Sequence, residues 1–185
     1  MDADVFSKFP IWRGQVPDGY AADFVGHLIK PEYQHGVAAI AKSNYSESKH
    51  LESNQTDSIK PNTPTIPVTI DDEIFEWIAV LESVLASKDS FTMVELGAGY
   101  GRWTGRAACA LRLQYPSMPA HFIAVEAEPT HFAWMKEHFK INGIDPANYT
   151  LVQAPVTGRP ETVPFTVGHA SEWPSSHTFS KSWLW

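Results

Sequence analysis

The sequence predicts an α/β fold in which a parallel sheet carries flanking helices. Three observations lead there. Strand-length apolar runs alternate with helix-period segments between residues 91 and 153. Three closely spaced glycines follow the first of those runs. Hydrophobic residues make up 43% of the 185-residue chain, enough for a packed core and too many for wholesale disorder.

The first periodic element is a helix over residues 71–87. Ile74, Trp77, Ile78, Leu81, Val84 and Leu85 recur at i, i+3, i+4 and i+7. Thr69 with Asp72 resembles a capping box, and Asp71, Asp72 and Glu73 suit the positive end of a helix dipole. Phe91 to Leu96 then reads as a buried strand ending at Gly97. A second helix follows over residues 101–115, with Trp103, Ala107, Ala110 and Leu111 inward, until Tyr115-Pro116 stops it. His121 to Glu126 is the second strand. Pro129 opens the third helix behind a capping Glu128; Phe132, Met135 and Phe139 face inward, and Asn142-Gly143 closes it. Tyr149 to Gln153 is the third strand. This βαβαβ order implies a Rossmann-like sheet with right-handed crossovers. Residues 162–167 suggest one more strand, weakened by Pro164.

The remaining chain has a different texture. Residues 1–40 form an aromatic-rich arm with little periodicity, residues 41–68 a Ser-, Pro- and Asn-rich linker, and residues 169–185 an irregular tail around Trp173, Trp183 and Trp185. The Rossmann-like domain occupies residues 69–168. The arm's Trp12–Tyr20 stretch is open to two readings, a lid or a substrate arm. A net charge of −7 without any Lys/Arg cluster argues against a nucleic-acid surface and suits a small-molecule site. The single cysteine, Cys109, lies in an apolar helical run and reads as core. An acidic N-terminus and the lack of any run of about 18 apolar residues make a cytoplasmic address, away from membranes, the expectation.

The chemistry sits at Glu95-Leu96-Gly97-Ala98-Gly99-Tyr100-Gly101. Glycines between a strand and a helix allow a tight turn and close approach of a ligand, facing the positive helix end. A nicotinamide site wants Gly-x-Gly-x-x-Gly, but here the third glycine position is Arg102. Glu95, two residues before the first glycine, suits an ammonium instead, as on the methionyl group of S-adenosylmethionine. Glu126, at the end of the second strand about 27 residues past Gly99, is placed to accept ribose hydroxyls. Gln153 and Ala154 end the third strand where an adenine edge would lie. The expected cofactor-binding set is Glu95, Gly97, Ala98, Gly99, Tyr100, Gly101, Glu126 and Gln153. Tyr100 could line the pocket or pack the turn, and a helix cap accounts for Glu128.

Val94 to Trp103, Val125 to Pro129, Phe139 to Gly143 and Leu151 to Ala154 together resemble the FkbM family of S-adenosylmethionine-dependent methyltransferases. The resemblance spans residues 70–168. It implies the class I methyltransferase fold and methylation of oxygen on a small molecule or sugar, with Glu95, Gly97, Gly99 and Glu126 as cofactor contacts. The family's fourth strand and its acidic motif near the reaction centre have no counterpart after the third strand here. A C-terminally truncated methyltransferase is therefore expected, with an open edge on the first strand. The alternative is an inactive remnant that at most binds cofactor. His27, His35, His121, His131, His138 and His169 are nominal bases, but core or surface placement accounts for each of them better, and no metal-ligand spacing occurs. No catalytic residue is assigned.

Overall fold

The computed structural model describes residues 3–33, 73–159, 164–166 and 180–182. The expected cap at Thr69 and Asp72, the linker at 41–68, His35, His169 and the three tail tryptophans lie outside the described residues.

The arm begins with a 3-10 turn at Ala3–Lys8 and continues to a small antiparallel pair, β1 (Ala21–Ala22) with β2 (Leu28–Ile29). A second 3-10 turn, Pro31–Tyr33, follows. Helix α1 (Ile74–Ala86) leads to strand β3 (Phe91–Leu96), then α2 (Arg102–Gln114), β4 (Ala120–Val125), α3 (Pro129–Ile141) and β5 (Tyr149–Val152). Strands β3, β4 and β5 form a parallel sheet in that order, with Glu95 paired to Ala124 and Val125 to Val152. The chain is thus α/β, with helices packed on a parallel sheet. Strand β6 (Pro164–Thr166) pairs antiparallel with β7 (Ser180–Ser182), so part of the segment read as an irregular tail is a strand.

The helices form where their apolar periods predict. Trp77, Ile78, Leu81 and Val84 of α1 are buried, as are Ala107, Ala110 and Leu111 of α2 and Phe132, Met135 and Phe139 of α3. Both ends of α3 follow the expected chemistry. Glu128 accepts from the His131 amide at 2.6 Å with Pro129 in the first turn, and Gly143 adopts a left-handed φ of 64° after the Asn142 cap. At the start of α1, Glu73 occupies the cap without capping; its carboxylate goes instead to Arg102 and Arg106.

One expectation is corrected. Strand β3 is buried on one face only. Phe91 and Met93 join the core with Phe122 and Ala124, while Val94 and Leu96 are 54% and 61% exposed. Two successive crossovers of the same hand, running the same way across the sheet, put their helices on the same side. The core accordingly lies between that face and the three helices, and the opposite face carries no helix among the described residues.

The arm is an integral part of this core. Val5, Phe9, Phe24 and Val25 are buried against Trp77 and its neighbours. Asn142, just past α3, treats β2 as a strand treats a neighbour: its Oδ1 accepts from the Leu28 amide at 2.7 Å and its Nδ2 donates to the Leu28 carbonyl at 2.9 Å. Arg106 lies between the rings of Trp77 and Trp103, 4.2 and 4.4 Å from their centroids, and pairs with Asp23 and Glu73. Cys109 is buried, and desolvation pushes its thiol up to about 12, consistent with an inert core residue.

Candidate functional site

At the end of β3 the backbone turns through three left-handed residues, Gly97 (φ 70°), Gly99 (φ 57°) and Gly101 (φ 79°). A side chain at any of them would be strained. The Gly97 and Ala98 amides both donate to the Val125 carbonyl at 2.9 Å, which anchors the turn to β4. Gly101 closes the turn by donating to the Ala98 carbonyl at 2.7 Å. Space is allotted differently at the two ends. A Cβ on Gly101 would lie 2.5 Å from the Phe139 ring, whereas one on Gly97 would meet nothing within 4 Å. Gly101 is therefore small for packing, and Gly97 leaves an open approach to the backbone.

Glu126 follows the last residue of β4 and is only 6% exposed. Its Oε2 accepts from the Gly99 amide and its Oε1 from the Glu128 amide, both at 2.7 Å. Its own amide and carbonyl bond Val152 and Ala154 of the third strand's end. One residue thus joins the glycine turn, the entrance to α3 and the end of β5. Each carboxylate oxygen has two lone-pair directions, so two of about four remain for hydroxyl donors. Gln153 follows β5 directly and is partly buried beside this junction.

Glu95 points inward beneath the turn. Its Oε2 accepts from the Thr104 amide at 2.9 Å and hydroxyl at 2.5 Å, and its Oε1 from the Trp103 amide at 3.3 Å. It therefore caps α2 from the strand, satisfying first-turn amides that the sequence reading had aimed at a ligand. Desolvation raises its pKa, and the bonds from Thr104 and Trp103 oppose that rise.

Ala98 is buried within the turn. Tyr100 is 2% exposed, its ring 5.3 Å from Tyr33 and 5.0 Å from His138, with its hydroxyl accepting from Arg102 Nε at 2.7 Å. The structure thus brings Glu95, Gly97, Ala98, Gly99, Tyr100, Gly101, Glu126 and Gln153 to one edge of the sheet, with the Tyr100 ring turned into the core. Sequence reading missed the arm's share: Tyr33 and His27 pack against this edge. His27 Nε2 lies 2.7 Å from His138 Nε2 while its Nδ1 faces Asp23 at 3.2 Å, and both rings are buried. His131 is buried as well. No cluster of His, Cys, Asp or Glu able to hold a metal occurs among the described residues.

The chain is similar to a protein of Jannaschia sp. (strain CCS1) described as "Putative methyltransferase", at 26% identity over 119 residues. The likeness covers 60% of this chain and 42% of that protein. It matches no family model and no solved structure. No helix among the described residues is long and apolar enough to cross a membrane.

Proposed function

We propose that this chain carries the S-adenosylmethionine-binding part of a methyltransferase of FkbM type, acting on an oxygen of a small molecule or sugar. The observation that carries the reading is Glu126: a buried carboxylate at the end of β4, tied to the Gly99 amide, with acceptor capacity left over. The open side of Gly97 supplies the close backbone approach a nucleoside needs. Similarity to a protein described as a methyltransferase supports the same chemistry.

The residues present fit the group. Glu126 would take the ribose hydroxyls, Gly97 to Gly101 would face the methionyl part, and Gln153 would lie at the adenine edge. Glu95 holds α2 in place and would reach the ammonium only through the one acceptor direction that Thr104 and Trp103 leave unused. When bound, S-adenosylmethionine supplies a sulfonium methyl open to in-line displacement. The chain's own contribution is alignment of that group.

The open β3 face, with Val94 and Leu96 exposed, favours a second reading in which this chain binds cofactor without turnover. Calorimetry with S-adenosylhomocysteine and with NAD tests the binding claim that both readings share. Binding of the former alone is expected; binding of NAD alone, or of neither, would refute it. Transfer of a labelled methyl group to a panel of hydroxylated small molecules separates the first reading from the second.

A further inference from the structure

Tyr100 stands in the chain between two left-handed glycines, directly after the Gly99 whose amide donates to Glu126. It is clamped by His138 of α3, Arg102 of α2 and Tyr33 of the arm. The first two belong to the helices that frame the site. Tyr33 comes from a separate segment, is 1% exposed, and stacks on Tyr100 at an interplanar angle of 29°.

That segment is held at several points along α3. Leu28 bonds Asn142 in both directions, Lys30 Nζ reaches Glu137 at 2.5 Å, and the Tyr33 hydroxyl donates to Glu137 at 2.8 Å. The Tyr33 ring also meets Trp134 and His138, at 5.1 and 5.8 Å between centroids. Behind it, His27 and His138 close so tightly on α2 that a Cβ on Gly105 would lie 2.5 Å from His27. Residues 20–33 and the glycine turn therefore meet in one packed group of rings, Tyr33, Tyr100 and His138.

We propose that Tyr33 is a positioning residue for the cofactor turn, so that arm docking and cofactor binding favour each other. The proposal rests on the functional reading above. Coupling of two binding events is reciprocal: the factor by which the docked arm tightens cofactor binding is the factor by which cofactor tightens docking.

Amide hydrogen exchange of the unmodified chain, with and without saturating S-adenosylhomocysteine, tests this. The amides of His27, Leu28 and Tyr33 should slow by about 10-fold more than those of the β4–β5 ladder. Tyr33→Ala should weaken S-adenosylhomocysteine binding by a similar factor, and Tyr33→Phe, which keeps the ring and loses only the Glu137 bond, should restore it. Should Tyr33→Ala fail to fold, the exchange measurement and Tyr33→Phe decide alone. Binding without differential slowing of the arm amides, or equal affinity of a folded Tyr33→Ala, would overturn the proposal and leave the functional reading intact. Absence of any S-adenosylhomocysteine binding would overturn both.

Discussion

Acidification from pH 7 to pH 5 should destabilise the fold by about 2 kcal/mol through His138 alone. Asp23 fixes the His27 tautomer by accepting from Nδ1, which leaves His27 Nε2 to accept from the Nε2–H of His138. His138 Nδ1 is then buried with no partner among the described residues. Burial first, then the neighbouring His27, Arg102 and Arg106, push the His138 ring down to about 2. His27 is lowered too, chiefly by burial, with Asp23 opposing and Arg106 and Arg102 adding to the effect. The unfolded chain, with ordinary histidines near 6.5, binds the extra proton below that pH and the folded chain does not. Stability therefore falls as pH drops below about 6.5, by about 1.4 kcal/mol per unit per histidine, until the folded value is reached. About 1.5 units gives the 2 kcal/mol, and His27 adds to it in the same direction. Glu137, held below the usual carboxylate range by Lys30 and Tyr33, stays out of this interval, while Glu95, raised by burial, acts in the opposite direction to the histidines, so the comparison with a His138 variant isolates the histidine effect. Urea unfolding followed by tryptophan fluorescence at both pH values measures the drop. His138→Asn should show a drop smaller by about 2 kcal/mol. An unchanged drop in the variant would refute the reasoning.

Four substitutions probe the rest of the account. Gly101→Ala should cost about 3 kcal/mol, combining a left-handed φ with a collision at Phe139, whereas Gly97→Ala, strained but facing open space, should cost about 1 kcal/mol; urea midpoints compare them. On the proposed function, the same Gly97→Ala should lose most S-adenosylhomocysteine affinity in calorimetry despite its mild effect on stability. Glu126→Gln keeps one carbonyl acceptor and adds an unwanted donor beside the Gly99 amide, and should weaken S-adenosylhomocysteine binding by about 10-fold to 100-fold. Asn142→Ala removes both bonds to Leu28 and should cost about 2 kcal/mol, with faster proteolysis between residues 20 and 33 as the readout.

The periodic part of the chain was legible because α1 and α3 bury one face each, α2 carries an apolar run of small residues, and the strands carry β-branched and aromatic runs. The residues flanking the strand ends were legible for the same reason: once β4 and β5 are placed, Glu126 and Gln153 must lie at one edge. Glu95 was readable as an acid beside the turn, yet its partners were not, since capping of α2 from the preceding strand depends on how the helix folds back. The half-open β3 was not legible either, because Val94 and Leu96 are as apolar as the buried Phe91, and hydropathy does not show which face receives helices. The arm was least accessible. Its contacts pair residues more than a hundred positions apart, such as His27 with His138 and Leu28 with Asn142, and no local period announces them.

The central claim is that the glycine turn and Glu126 hold the cofactor, and backbone amide resonances report on it directly. Titration of isotopically labelled protein with S-adenosylhomocysteine should shift the amides of Gly97, Gly99 and Gly101 and of Ala127 and Gln153, while Gly19 and Gly143, remote glycines of the same left-handed conformation, stay in place. Binding that shifts other regions and leaves these turn amides unmoved would contradict the account.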